Sequence, residues 1–512
     1  MVWIWMERVA LSAAVVVPLL GSLTFHFRRD RPSGVASFWV AAACAALVTV
    51  LVACVGPVTV KGGSGVGLSA SPVTAVLLML VVGVGALVQS FSARNLQADP
   101  SRGRFTARAG LVIAAMALVV ASRDLAGLVL GWVAAGAAFR ALMGCRSDLP
   151  GVGECLREVR KAVAVSDGSL IAAATLIWWR VGDVNLSSPH SVAIASQQLG
   201  AWRGLVAALA VIAALARSGQ GLFRRWLPLT VSGPTPTCAL LHAGVINGGG
   251  ILLVRFGVLS AWRPAMAGLL VVAGATAVWA GSVARLRPDV KGQLAFSTMA
   301  QMGFMLAECA VGAYPAAVIH LFGHGFYKAS LFFSSGSGVS RPGLPTPPPA
   351  TRSFPRAASV ASVALGAALV PGVLMGEAPV LRLFAMLTAA SLAGTFWATR
   401  PWGRLAGGLG WLAVLVVATA GYGAVVAALG GFLETGLASA HAAVDQWWLI
   451  SLAAAGAAAS WLSIASPWAQ AVQIRLLATG ALPLGRPTPA RSGRYGPAPV
   501  ERDGDACLEA AA

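Results

Sequence analysis

Charge is what this chain has least of. Only 11% of its 512 residues are Asp, Glu, Lys or Arg, against roughly 25% in an ordinary soluble domain. Hydrophobic residues make up 57% and mean hydropathy is +0.77, which argues against a soluble globule. Acid is scarcer than base: 18 Asp and Glu stand against 37 Lys and Arg, a formal net charge of +19. In a soluble protein that excess would point to nucleic acid; in a membrane protein it records topology. Cysteine is also sparse. The seven (Cys44, Cys54, Cys145, Cys155, Cys238, Cys309 and Cys507) are odd in number, sit singly and form no CxxC, which argues against a disulfide framework and against a cysteine metal site. A phosphate loop, a dinucleotide fingerprint and a soluble stretch long enough for a catalytic domain are all missing. The chain therefore reads as a carrier or coupling subunit that is not catalytic by itself.

What is present is apolar length. A span needs about 20 residues, and apolar runs bounded by charge, Pro or Gly predict fifteen spans: 9–27, 35–55, 72–92, 107–122, 125–143, 162–179, 201–220, 235–254, 264–284, 292–312, 314–335, 357–376, 379–398, 405–430 and 446–466. The first run ends at Phe27-Arg28-Arg29 with no small-residue cleavage site, so it reads as a retained span rather than a signal peptide. Alternate loops differ sharply in charge: one set holds twenty-two Lys and Arg and the other six. The positive-inside rule then places the N-terminus outside and the C-terminus in the cytoplasm of a multi-pass protein of the cell membrane. The Pro-rich connector Arg341–Arg356 is expected on the cytoplasmic face as an extended linker. Residues 471–512, rich in Pro, Gly and Arg without apolar periodicity, read as a disordered cytoplasmic tail.

An ionisable side chain at the bilayer centre costs about 2.5–3.5 kcal/mol on insertion scales, so each one inside a span asks for an explanation. His320, His324 and Lys328 recur at i, i+4 and i+8 and share one helical face. A proton relay, a satisfied polar cluster and an HxxxH metal site are the three readings, the last with no third ligand nearby. Arg217 either modulates a path electrostatically, since it does not give up its proton, or snorkels to the cytoplasmic interface with Arg224 and Arg225. Pro234 and Pro236 precede His242 and Asn247; they mark either a helix broken at membrane depth, which survives only where it lines a cavity or lies buried, or a plain helix start. Ser297, Gln301 and Glu308 fall at helical spacing. Interhelical hydrogen bonding accounts for the first two, but the charge of Glu308 must be paired or neutralised.

Four stretches together carry a resemblance: Gly233-Pro234-Thr235-Pro236 through Leu241-His242-Ala243, Asp289-Val290-Lys291, Ser297 through Gly303, and His320 through Ala329. They resemble the proton-translocating antiporter module of the large membrane subunits of respiratory complex I and Mrp-type Na⁺/H⁺ antiporters, strongly over 200–340 and more weakly from Gly131-Trp132 to Asp167. The resemblance implies an all-α polytopic fold of about 14–15 transmembrane helices with two inverted five-helix repeats containing broken helices. The implied division is N-terminal helices over 1–106, a first repeat over 107–259, a second over 260–400, and C-terminal helices over 401–470. His242, His320, His324 and Lys328 match the family's polar axis, and Glu308 and Arg217 join them as candidates for a proton path.

Departures from the pattern are equally specific. In complex I and Mrp subunits a Glu follows the Trp of the fifth span and pairs with a Lys on the seventh; here Val133 follows Trp132, and Arg217 holds the lysine's place. The broken helix expected at Pro371-Gly372 ends on Glu377 where a Lys is usual. The membrane subunits of DAB-type inorganic-carbon transporters are the more similar branch, since they too lack the Glu after the Trp. That branch implies a large cytoplasmic zinc-binding, DabA-like partner related to β-carbonic anhydrases. Zinc is then expected on the partner and no cofactor on this chain. The implied function is a proton- or cation-conducting subunit driving CO₂/bicarbonate accumulation. The alternative is an antiporter-like subunit of an NADH-quinone oxidoreductase or Mrp complex.

Overall fold

In a computed structural model of the chain, residues 2–27, 33–60, 66–335, 428–433 and 475 are described. Long apolar segments fold as helices because a backbone without water must satisfy its own hydrogen bonds. In order they are α1 (Val2–Phe27), α2 (Ser33–Val55), a short ribbon of β1 (Val58–Val60) and β2 (Leu68–Ala70), α3 (Pro72–Asn95), α4 (Arg102–Ala121), α5 (Leu125–Met143), α6 (Val152–Val181), α7 (Pro189–Gln198), α8 (Arg203–Arg217), α9 (Trp226–Leu229), α10 (Thr235–Ala243), α11 (Gly248–Phe256), α12 (Arg263–Leu286), α13 (Val290–Ala310) and α14 (Tyr314–Ser334). Among the described residues, nine helical segments are long and apolar enough to cross a membrane. Helices α13 and α14 are as long, but their polar side chains thin the hydropathy.

All eleven spans expected before residue 336 fall on helix. The last four lie outside the described residues except where 428–433 is helical, as do the linker, Pro371, Glu377 and nearly all of the tail. Span 6 differs most in length: α6 begins at Val152, ten residues before the hydropathy edge at 162. Its charged first turns form helix outside the apolar run, with Lys161 Nζ donating to Glu158 Oε1 at 2.8 Å. The ribbon and α7 were not expected. Ser188, whose Oγ accepts from Ser191 N, and Pro189 at the first turn start α7, a capping arrangement that hydropathy does not register.

Loops at the two ends of the bundle are tied by different chemistry. At one end Asp124 Oδ1 accepts from Gly127 N at 2.7 Å to cap α5. At that same end the buried Arg255 of α11 donates to Ser122 O and Thr74 Oγ1. At the Arg-rich end Asp99 receives Arg146 Nη1 at 2.6 Å, and Arg108 Nη1 donates to Ala141 O at 2.6 Å. Between them the helices pack through small residues. A Cβ on Gly131 of α5 would lie 2.8 Å from Val119 N of α4, and one on Gly303 of α13 would lie 2.5 Å from Ala273 O of α12. Such contacts let backbones approach where lipid supplies no hydrophobic drive for helix association.

Candidate proton pathway and ion-pair site

Helix α13 is started by Asp289, whose Oδ2 accepts from Gly292 N at 2.7 Å. This start turns Ser297, Gln301 and Glu308 toward α14. His320 sits between two of them: Nδ1 lies 3.0 Å from Glu308 Oε2 and Nε2 lies 3.0 Å from Gln301 Oε1. An imidazole with oxygen on both nitrogens donates to both only as the imidazolium. A turn of the Gln301 amide restores a neutral ring that donates to Glu308 and accepts from Gln301. Two proton inventories therefore fit one arrangement of heavy atoms.

One turn on, the His324 ring centroid lies 6.1 Å from that of His320. Neither His324 nitrogen has a hydrogen-bond partner among the described residues, although the ring is within electrostatic reach of His320, Lys328 and His242. A further turn on, Lys328, only 2% exposed, donates to Ser297 Oγ at 2.8 Å. His242 of α10 closes the group from the other side, stacked on Phe332 of α14 at 4.8 Å between centroids, with Nε2 3.3 Å from Thr230 Oγ1. Glu308, His320, His324, Lys328 and His242 are all buried, in a polar file between α10, α13 and α14 whose hydrogen bonding is interrupted at His324.

The interruption beside this file is not where the prolines stand. Pro234 caps α10 and Pro236 lies in its first turn, where a missing N–H costs nothing; the chain there is a plain helix start. The break comes ten residues later, at Gly244 and the 3₁₀ turn Val245–Asn247. Exposed backbone at the break is met by side chains: Asn247 Nδ2 donates to Ala243 O at 2.9 Å, and Ser218 Oγ donates to Ile246 O at 3.1 Å.

Arg217 does not snorkel. It is 3% exposed and ion-paired, Nη2 to Asp167 Oδ1 of α6, at 2.6 Å. Nη2 also donates to Trp132 O at 3.2 Å, and Nε donates to Ser166 Oγ at 3.4 Å. The guanidinium carbon lies 4.2 Å over the Trp132 ring, a cation–π contact. Reasoning from the sequence passed over Asp167 as a site residue. The signal that marks it is an acid inside the apolar run of span 6, obscured by the dense charge of the preceding turns. Among the described residues, no group of three or more His, Cys, Asp or Glu side chains could hold a metal ion.

Residues 122–353 match the family model for the transmembrane module of NADH:quinone oxidoreductase and Mrp antiporter subunits. The match takes in 232 of the 512 residues. Relatives include a probable inorganic carbon transporter subunit, DabB1, of Halothiobacillus neapolitanus, 32% identical over 273 residues, covering 52% of this chain and 49% of the relative. The Bacillus subtilis counterpart is 34% identical over 269 residues, 52% of each chain. NADH-quinone oxidoreductase subunit L of Escherichia coli is 29% identical over 350 residues, 64% of this chain and 57% of the relative. The chain thus spans about half the length of the curated relatives it matches first. Among solved structures, one of the Mrp complex from a Dietzia species superposes with a TM-score of 0.55 at 26% identity, covering 94% of this chain and 55% of that one. An archaeal membrane-bound sulfane sulfur reductase matches with a TM-score of 0.59 at 16% identity, covering 92% and 96%, which bears on the fold alone. The chain is accordingly a multi-pass helical membrane protein that is similar to antiporter-like subunits.

Proposed function

We propose that this chain is the proton-conducting membrane subunit of an inorganic-carbon accumulation complex, coupling a cation gradient to a cytoplasmic, zinc-containing, carbonic-anhydrase-like partner. The observation that carries the conduction is the buried file on α13 and α14, in which the Glu308–His320–Gln301 contact and Lys328 flank a His324 with no hydrogen-bond partner among the described residues. Each group in the file except Gln301 can hold a proton, and the helical repeat places the two His and the Lys one turn apart, about 6 Å. A proton arriving at Glu308 passes to His320, then by way of the His324 ring to Lys328, and leaves toward the cytoplasm. At 100 mV each charge carries about 2.3 kcal/mol, which biases the partner's hydration of CO₂ to bicarbonate. Zinc belongs to that partner, and this chain supplies the proton path and the membrane anchor, with its N-terminus outside and its C-terminus cytoplasmic.

The carbon-transport reading is supported by the names of the relatives and by Val133 and Arg217, which replace the glutamate–lysine pair of the redox and antiporter branches. The test is rescue, in air, of a strain lacking carbonic anhydrase by the chain co-expressed with its neighbouring reading frames. Wild type is expected to rescue and Lys328→Ala to fail at equal abundance in the membrane; unimpaired growth of the variant would contradict the path. The protein that co-purifies separates the branches. A large Cys/His-bearing soluble protein fits the proposal, and a set of small hydrophobic or iron–sulfur subunits fits the antiporter-like alternative.

A further inference from the structure

The Asp167–Arg217 pair is built differently from the file on α14, and the contrast has a functional meaning. Arg217 is held from several directions at once: by the carboxylate of α6, by the carbonyl and ring face of Trp132 of α5, and by Ser166. Ser166 is itself fixed, accepting from Trp132 Nε1 at 3.2 Å and donating to Ala213 O at 3.1 Å. No side chain of α5 intervenes, because a Cβ on Gly136 would lie 3.2 Å from Asp167 Oδ2 and 3.4 Å from Arg217 Nη1. On the other side Gly248 brings the broken helix so near that a Cβ there would lie 3.2 Å from Arg217 Cγ. The residue after Trp132 is Val133, which can neither accept nor donate a proton.

From this geometry we infer that Arg217, locked by Asp167, Ser166 and Trp132, is a fixed cationic plug that closes the first half of the chain to protons and other cations. A guanidinium keeps its proton at any accessible pH, so the site cannot take up a proton, pass it on and reset. A positive charge held rigidly inside the bundle repels an approaching cation, as arginine barriers do in pores. Cation traffic is then confined to the α13–α14 file, where the one hydrogen-bond partner of Lys328 among the described residues is the Ser297 hydroxyl. The inference rests on the conduction proposed above and can fail separately from it.

The experiment is proton uptake by proteoliposomes containing the complex purified through this chain, under an imposed potential. The variants are Asp167→Asn/Arg217→Gln, which removes both charges and leaves a shorter amide in the guanidinium's place, and Lys328→Arg, which keeps the charge but cannot release a proton. A plug predicts that the assembled double variant opens a second route: flux at least twofold above wild type, and flux above background even when Lys328→Arg is added to it. Flux at or below the wild-type rate in an assembled double variant overturns it. If the double variant fails to assemble, Lys328→Arg decides: background flux supports the plug, and residual flux above a tenth of wild type overturns it. Background flux in Lys328→Arg with no gain in the double variant overturns the plug alone and leaves the Lys328 path standing.

Discussion

At the scale of single residues, the two buried ionic sites differ in what a substitution strands. His320 bonds both Glu308 and Gln301, so His320→Ala leaves a buried carboxylate without its imidazole. Breaking a buried pair from one side costs about 3–5 kcal/mol, and the expected outcome is a lowered melting temperature in detergent together with lost flux. Glu308→Gln keeps a hydrogen-bonding partner for His320 but no longer carries a proton. It is expected to leave the melting temperature within about 1 °C, an effect of about 1 kcal/mol for a chain of this length, and to cut flux at least tenfold. A thermal shift as large as that of His320→Ala would assign Glu308 a structural role. The histidine face was legible in the sequence because His320, His324 and Lys328 repeat every four residues. Asp167 was not, because no local spacing links it to Arg217; the pair spans fifty residues and is made only when α6 packs on α8.

At the scale of elements, helices are recoverable from apolar runs wherever the run and the helix coincide, as in α5, expected at 125–143 and observed there. They diverge where helix formation does not depend on lipid, as in the charged start of α6, or where the run hides a break. Spans of apolar residues do not reveal the interruption at Gly244, since Gly244-Val245-Ile246 is as apolar as its flanks. What signals it is the glycine density from Gly244 to Gly250, needed because α8 lies against the turn: a Cβ on Gly249 would meet Ser218 Oγ and come within 2.6 Å of Ala214 O. Gly249→Ala is therefore expected to destabilise by about 1–3 kcal/mol, seen as reduced thermal stability, and the same change at Gly268, with open space around it, should not. In the loop before α4, hydrogen bonding from Ser101, together with the Arg146 guanidinium, holds the Asp99 carboxyl below its ordinary value. A depressed carboxyl stabilises above its unfolded value near 3.9, and that contribution is lost as pH falls through the lower folded value. Hydrogen-exchange protection of 96–101 is thus expected to drop below about pH 4 in wild type, by no more than about 1 kcal/mol, and Asp99→Asn should show the lowered protection already at pH 7.

At the scale of the whole molecule, the scarcity of charge that marks the sequence becomes a division of labour. Among the described residues, the buried ionisable groups include two sites of opposite character. One, on α13 and α14, holds groups that can each carry a proton, and the proposed function has them pass it along. The other, between α5, α6 and α8, holds a guanidinium that does not. Class and module were legible from composition and from the motifs at 233–243 and 320–329, because both are local in the chain. The relation between the two sites was not, because it depends on which helices touch. The central claim, that protons cross along the α13–α14 file, is tested most directly by proton uptake into proteoliposomes of the purified complex at a fixed imposed potential, comparing wild type with Lys328→Ala at matched incorporation. The account predicts uptake in the wild type and none above the empty-vesicle rate in the variant; equal rates in the two would contradict it.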